Sequence, residues 1–71
     1  MRITILGLAK CAKNTLEDSY SEYIENITNV SVTFKKGVHI ATYPDAIEIL
    51  FDDEADRVRI LHCDYWRIEI E

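Results

Sequence analysis

From residue 30 to residue 70, apolar and polar side chains alternate in short runs that are separated by turn-forming residues. This pattern constrains the fold more than any other feature, because alternation with a period of two places every second side chain on one face of a β-strand. It predicts five antiparallel strands with one buried face. The side chains of that inner face would be Val30, Val32, Phe34, Val38, Ile40, Ile47, Ile49, Phe51, Val58, Ile60, Trp66, Ile68 and Ile70.

Turn-forming residues give the register that we expect between these strands. Residues 34–38, FKKGV, have the form of a three-residue hairpin loop with Gly37 in the left-handed conformation, and residues 43–46, YPDA, predict a tight turn. The acidic residues 53–56 would form a four-residue loop, and residues 63–65 a three-residue loop. The expected pairs are Phe34 with Val38, Val32 with Ile40, Val30 with Thr42, Ile40 with Ile49, Val38 with Phe51, Phe51 with Val58, Ile49 with Ile60, Asp52 with Arg57, His62 with Trp66, Ile60 with Ile68, Val58 with Ile70, Arg59 with Glu69 and Arg57 with Glu71.

The N-terminal part of the chain has a different periodicity. Alternation at Ile3 and Ile5 predicts a first strand that ends near Gly7. Helical spacing follows, and we predict one amphipathic helix over residues 15–26, with Thr15 and Asp18 forming a capping box. Its apolar face would comprise Leu16, Tyr20, Tyr23, Ile24 and Ile27, opposite exposed Glu17, Asp18, Glu22 and Glu25.

These elements predict an α+β fold in a single domain, residues 1–71. It would comprise an N-terminal strand, one amphipathic helix, and then a five-stranded antiparallel meander with the helix packed on one face. A right-handed crossover would make the first strand a parallel neighbour of residues 30–34. The alternative is that the first strand pairs with residues 66–70. One helix covers about half of so wide a sheet face, so either the sheet curls around the helix or a second protein covers the remainder.

The composition favours a cytoplasmic protein. No apolar run approaches the ~20 residues that span a bilayer, and Gly7 interrupts the apolar residues near the N-terminus, which argues against a signal peptide. Cys11 and Cys63 are too few for a disulfide scaffold, and we expect both to be reduced. The net charge of −5 disfavours direct binding to nucleic acid and permits a basic protein partner.

No catalytic residue, cofactor or metal site is predicted. The letters DEAD at residues 53–56 also occur in nucleotide-driven helicases, but the glycine-rich phosphate loop of such motors is missing, since Gly7 and Gly37 are the only glycines. His62 and Cys63 are adjacent on an expected strand, so they point to opposite faces and do not share one metal ion. Neither a CxxC nor an HxxxH spacing occurs.

Two groups of residues are candidates for binding a partner. The first, the acidic strip, lies at the expected hairpin tip and along the strand before it, and it comprises Asp53, Glu54, Asp56, Glu48 and Asp45. We expect the other nearby acids, Asp52, Glu69 and Glu71, to be offset by Arg57 and Arg59. The second group, the aromatic end, lies at the opposite end of the sheet and comprises Tyr43, Tyr65 and Trp66. Tyrosine and tryptophan are enriched at interaction hot spots, although they also close the open ends of small cores.

We therefore expect a small, acidic, non-enzymatic binding protein that masks or inhibits a basic protein partner, such as a nucleic-acid-binding enzyme. Phages and mobile elements encode inhibitors of this kind against host defence enzymes, as in anti-CRISPR and anti-restriction proteins that mimic nucleic acid. This analogy is one of class and rests on no family motif. The alternative is a homodimeric structural or regulatory subunit, and the third hypothesis is a module that binds a small molecule or a metal ion.

Overall fold

The computed structural model describes residues 2–52 and 55–71. These residues form one α-helix and seven strands, which make two antiparallel sheets, so the α+β class is confirmed. Sheet A has the strand order β2-β3-β1-β7 and sheet B has the order β4-β5-β6. The elements are β1 (Ile3–Leu6), α1 (Lys10–Tyr20), a 3-10 turn (Ser21–Tyr23), β2 (Ile24–Ile27), β3 (Ser31–Phe34), β4 (Val38–Thr42), β5 (Ala46–Phe51), β6 (Arg57–Leu61), a second 3-10 turn (His62–Asp64) and β7 (Arg67–Ile70).

The prediction of a single five-stranded meander is wrong, because β3 and β4 belong to different sheets. Phe34 ends β3 and Val38 begins β4, and both side chains are buried. Gly37 between them has a φ of 95°, so its expected left-handed conformation is confirmed. The connection is a corner between sheets, and the backbone N–H of Lys35 donates to Tyr23 O at 2.9 Å. The expected pairs of Phe34, Val32 and Val30 with β4 are therefore absent among the described strands.

The predicted helix over residues 15–26 is also shifted. Helix α1 begins at Lys10, five residues earlier, and no side chain caps it. Thr15 lies inside the helix, where its hydroxyl donates to Cys11 O at 3.1 Å, so the predicted capping box is wrong. The helix ends at Tyr20, and the rest of the predicted helix forms the first 3-10 turn and the beginning of strand β2 instead.

An irregularity in β2 explains why its sequence has helical spacing. The pairing of β2 with β3 shifts between Ile24 and Asn26, as at a β-bulge, and resumes with Ile27 opposite Val32. An extra residue in a strand reverses the alternation, so residues three apart reach the same face. Both Ile24 and Ile27 pack against the core in this way. Their spacing therefore fits a helix and a bulged strand equally well.

The registers of sheet B are close to those predicted. Between β4 and β5, Val38 lies opposite Phe51 and Ile40 opposite Ile49, as expected. Between β5 and β6, Ile49 lies opposite Val58 instead of Ile60, a shift of two residues. A shift of two keeps every side chain on its face, so the predicted burial of Ile49, Phe51, Val58 and Ile60 is confirmed.

The first and last described strands are neighbours. Strand β1 pairs antiparallel with β7, with Ile5 opposite Ile68, which confirms the alternative pairing for the first strand. On its other side β1 pairs antiparallel with β3, so the predicted parallel pairing is wrong, because β2 reverses the chain direction before β3. The expected pairs of β6 with β7, including Arg59 with Glu69, Arg57 with Glu71 and His62 with Trp66, are wrong, because β6 belongs to sheet B and β7 to sheet A.

One core lies between the two sheets and the helix. Its buried members come from both sheets, from α1 and from the segment between β1 and α1, and they are Ile3, Ile5, Leu8, Leu16, Val32, Phe34, Val38, Ile47, Ile49, Phe51, Val58 and Ile60. Each sheet therefore covers much of the other, and the expected excess of apolar sheet area over one helix disappears. Three predicted inner-face residues are exposed instead: Val30, Trp66 and Ile70. Helix α1 is not long and apolar enough to cross a membrane.

Candidate functional site

The aromatic end is organised by a histidine. The His62 ring lies between Tyr43 and Tyr65, with Nε2 at 2.7 Å from the backbone O of Tyr43 and Nδ1 at 2.7 Å from the hydroxyl of Tyr65. A carbonyl oxygen only accepts, so Nε2 carries a proton and donates to Tyr43; in the neutral ring, the Tyr65 hydroxyl then donates to Nδ1. His62 thus joins the β4–β5 turn of sheet B to the segment that enters β7 of sheet A.

The two tyrosines differ in exposure. Tyr65 is half-buried and packs against the core, as expected of a side chain that closes a core, whereas Tyr43 is 39% exposed. The predicted convergence of the two tyrosines is confirmed through their shared contact with His62. Proximity of His62 to Trp66, expected from the incorrect β6–β7 register, is replaced by this contact with Tyr65.

Trp66 is the most exposed large apolar side chain among the described residues, at 71%. Its backbone is nevertheless fixed, because its N–H donates to Leu6 O at 2.8 Å at the end of β1. Next to it, Gly7 has a φ of 69°, and a Cβ on Gly7 would lie 2.8 Å from Trp66 Cβ. The guanidinium carbon of Arg67 lies 5.4 Å from the centre of the Trp66 ring, within range of a cation–π interaction.

A second exposed apolar side chain lies near Trp66. Val30, in the β2–β3 turn, is 66% exposed, and its carbonyl accepts from the Gly7 N–H at 2.8 Å. Gly7 thus lies between the turn that carries Val30 and the segment that carries Trp66. The absence of a side chain on Gly7 allows this close approach.

The acidic strip is partly neutralised within the chain. Asp45 Oδ2 lies 2.5 Å from Arg59 Nη2, and Glu48 Oε1 lies 3.6 Å from Arg57 Nη1. Of the other expected members, Asp53 and Glu54 lie outside the described residues. Asp56 is exposed, and no ion pair joins it to another residue of 2–52 or 55–71.

The arginines thus pair with different acids from those expected. We expected Arg57 and Arg59 to offset Asp52 and Glu69, but Asp52 lies 3.7 Å from His39 and Glu69 pairs with Arg67. The two-residue shift between β5 and β6 and the separation of β6 from β7 are the cause. The Asp45 carbonyl also accepts from the His62 N–H at 3.3 Å, so the strip begins at the aromatic end.

An open groove of about 420 Å³ lies elsewhere, between the end of α1 and the edge strand β2. Its lining is mixed: Glu17, Ser21, Ile24, Glu25, Asn26 and Ile27. One of its carboxylates, Glu25, pairs with Arg2 at 2.9 Å. Among residues 2–52 and 55–71, no three histidine, cysteine, aspartate or glutamate side chains converge in a geometry that would hold a metal ion.

Two residues important to the aromatic end were not among the predicted site residues. His62 was expected to lie near Trp66. Its hydrogen bonds to Tyr43 and Tyr65 connect two sheets, and the alternation of side chains does not predict contacts between sheets. Gly7 was expected only to end the first strand. A glycine directly after a strand is a signal for a close backbone approach, although it does not identify the neighbour.

Comparisons with models of protein families, with curated proteins and with solved structures found no match to this chain.

Proposed function

We propose that this chain is a non-enzymatic binding protein that masks a partner protein through its aromatic end. The observation that carries the proposal is Trp66, an indole that is 71% exposed on a backbone held by the hydrogen bond to Leu6. Large aromatic side chains on a fixed backbone lose less conformational entropy on binding than those on a mobile one, and aromatic residues dominate many protein interfaces. Tyr43, also exposed, and Val30 extend the apolar surface.

Charge defines the kind of partner. The net charge of −5 favours a basic protein, and the acids from Asp45 onward outnumber the basic residues by nine to three. Because Asp45 and Glu48 already have arginine partners, the remaining carboxylates of the acidic strip, Asp53, Glu54 and Asp56, would act mainly on the rate of encounter. A nucleic-acid-binding enzyme of a host defence system, inhibited by a phage or mobile-element protein, has the required basic surface.

Replacing Trp66 with alanine tests the contribution of the aromatic end. A hot-spot residue contributes at least ~2 kcal/mol, so we expect the complex to dissociate about 30-fold faster, with little dependence on salt. The partner is first isolated as the basic protein that the immobilised wild-type chain retains from a lysate of the host cells. The association and dissociation rates of each variant with this protein are then measured on a sensor surface. Leu61→Ala is the matched control, because Leu61 is also an exposed apolar residue, at 45%, and it should change dissociation by less than about twofold. Equal dissociation from wild type and Trp66→Ala would exclude the aromatic end.

Neutralising three carboxylates tests the acidic strip separately. The triple variant Asp53→Asn, Glu54→Gln and Asp56→Asn should keep the melting temperature of the wild type and associate more slowly with the same partner. The dependence of its association rate on salt should also be weaker, because exposed charges act through long-range attraction that ions screen. Association that is unchanged at low and at high salt would exclude nucleic-acid mimicry and leave the aromatic end as the binding surface.

A further inference from the structure

Strand β7 is an open edge of sheet A. Arg2 and Glu71 exchange two backbone hydrogen bonds, at 3.1 and 2.9 Å, which sets the alternation along the β1–β7 ladder. The N–H and C=O groups of Glu69 and Glu71 therefore point toward β1, and those of Ile68 and Ile70 point away from it. No backbone hydrogen bond to Ile68 or Ile70 from outside its own strand pair occurs within residues 2–52 and 55–71. An edge of this kind accepts a further strand.

The side chains along this edge divide into two kinds. Ile68 and Ile70 follow the inward face, opposite Ile5 and Ile3, yet Ile70 remains 60% exposed because nothing described covers the edge beside it. Arg67 and Glu69 lie on the outer face, with side chains 55% and 47% exposed. The edge therefore presents apolar side chains on one face and one charge of each sign on the other.

This pattern is self-complementary in one antiparallel register. If Ile68 lies opposite Ile68 of a second copy, then Arg67 lies opposite Glu69, twice by symmetry. The free backbone groups of Ile68 then face each other, as a hydrogen-bonded pair requires. Moving the centre to Glu69 would oppose two glutamates, and moving it to Arg67 would oppose two arginines.

The other edges of the two sheets are less suited to self-pairing. Strand β6 carries Arg57 and Arg59, so registers centred on Val58 or on Arg59 bring like charges together. Strand β2 contains the irregularity between Ile24 and Asn26, which disturbs further pairing at that edge. Strand β4 carries only His39 as a titratable side chain and has no charge pair that would select a register.

We propose that the chain forms a symmetric homodimer in which β7 pairs antiparallel with β7 of a second copy, centred on Ile68, and that Arg67 and Glu69 select this register. The two four-stranded sheets then become one continuous sheet. The dimer carries two aromatic ends. This inference goes beyond the proposed function and does not depend on it.

Charge reversal at the two outer positions tests the pairing without disturbing the core. Arg67→Glu or Glu69→Arg alone would place like charges opposite each other at two positions, whereas their neighbours on β1, Leu6 and Thr4, are uncharged. Each single variant should dimerise about tenfold to a hundredfold more weakly than wild type. The double variant Arg67→Glu with Glu69→Arg restores opposite charges and should dimerise like wild type. Sedimentation velocity from micromolar to millimolar protein measures all four, and far-UV circular dichroism checks that each variant is folded.

An equimolar mixture of the two single variants gives the most specific readout. One copy then carries two glutamates and the other two arginines, so both cross-strand pairs are attractive and a heterodimer should form where neither variant dimerises alone. In the wild-type dimer, the backbone amide of Ile68 should also exchange with solvent more slowly as protein concentration rises. A wild-type chain that stays monomeric at millimolar concentration overturns the proposal. Single variants that dimerise as tightly as wild type, or a mixture that forms no heterodimer, would do the same.

Discussion

Phe51→Ala is expected to lower the free energy of unfolding by about 3–5 kcal/mol, enough to remove most of the stability of so small a domain. The Phe51 ring, on sheet B, is the meeting point of three other aromatic rings. Tyr20 of α1 stacks on it with centroids 4.5 Å apart, Tyr23 lies at 4.6 Å, and Phe34 of sheet A meets it edge-on at 6.4 Å. Removing it leaves a cavity where helix and both sheets meet.

Phe51→Leu is the matched control, because it retains most of the volume and loses only the ring contacts. It should cost about 1 kcal/mol, the usual range for an apolar replacement of similar size. Urea denaturation followed by circular dichroism measures both variants. If the alanine variant is no less stable than the leucine variant, the core does not depend on Phe51.

Gly7→Ala is expected to cost about 2–4 kcal/mol. A residue with a Cβ at φ 69° is strained by about 1–3 kcal/mol, and the new Cβ would lie 2.8 Å from Trp66 Cβ and 3.3 Å from Trp66 N. Neither atom can rotate away, since N is part of the backbone that is bonded to Leu6 and Cβ is attached directly to Cα. The first effect of the strain should be to separate β1 from β7 at this end, so the Trp66 amide should lose protection from hydrogen exchange.

Gly37→Ala separates backbone strain from crowding. Gly37 also has a positive φ, of 95°, but its added Cβ would meet the Asp52 carboxylate at 2.5 Å, which is the end of an exposed and rotatable side chain. Its cost should therefore be limited to the strain, about 1 kcal/mol. If Gly7→Ala and Gly37→Ala lower the melting temperature equally, the contact of residue 7 with Trp66 is not rigid.

Alternation predicted which side chains are buried better than it predicted which strands pair. Phe34 and Val38 face the core whether residues 35–37 form a hairpin or a corner, so the sequence pattern is the same in both cases. The charge pairs expected between β6 and β7 were likewise compatible with more than one strand pairing. Arg59 pairs with Asp45 and not with Glu69, and an exposed ion pair with either acid is too weak to specify a register.

Three residues of the aromatic end, Tyr43, Tyr65 and Trp66, were predicted from the sequence, whereas the contacts of His62 and Gly7 there were not. The convergence of Tyr43 and Tyr65 followed from strand direction, which both the predicted and the observed connections preserve. The exposure of Trp66 was not predicted, because the alternation placed this residue on the inner face at the end of a strand. The expectation that either a curled sheet or a second protein covers the spare sheet area assumed one sheet, and two sheets that cover each other need neither.

The position of β1 between β3 and β7 has a consequence for the order of folding. Sheet B consists of consecutive strands joined by short turns, so its contacts are local and can form early. Sheet A is completed only when Ile3 and Ile5 meet Ile70 and Ile68, which are distant in sequence. Before β7 docks, β1 has one free edge and the core is open on the side of sheet A. The docking of β7 should therefore be the slow step of folding, and aggregation should be most frequent in the molecules that have not yet completed it.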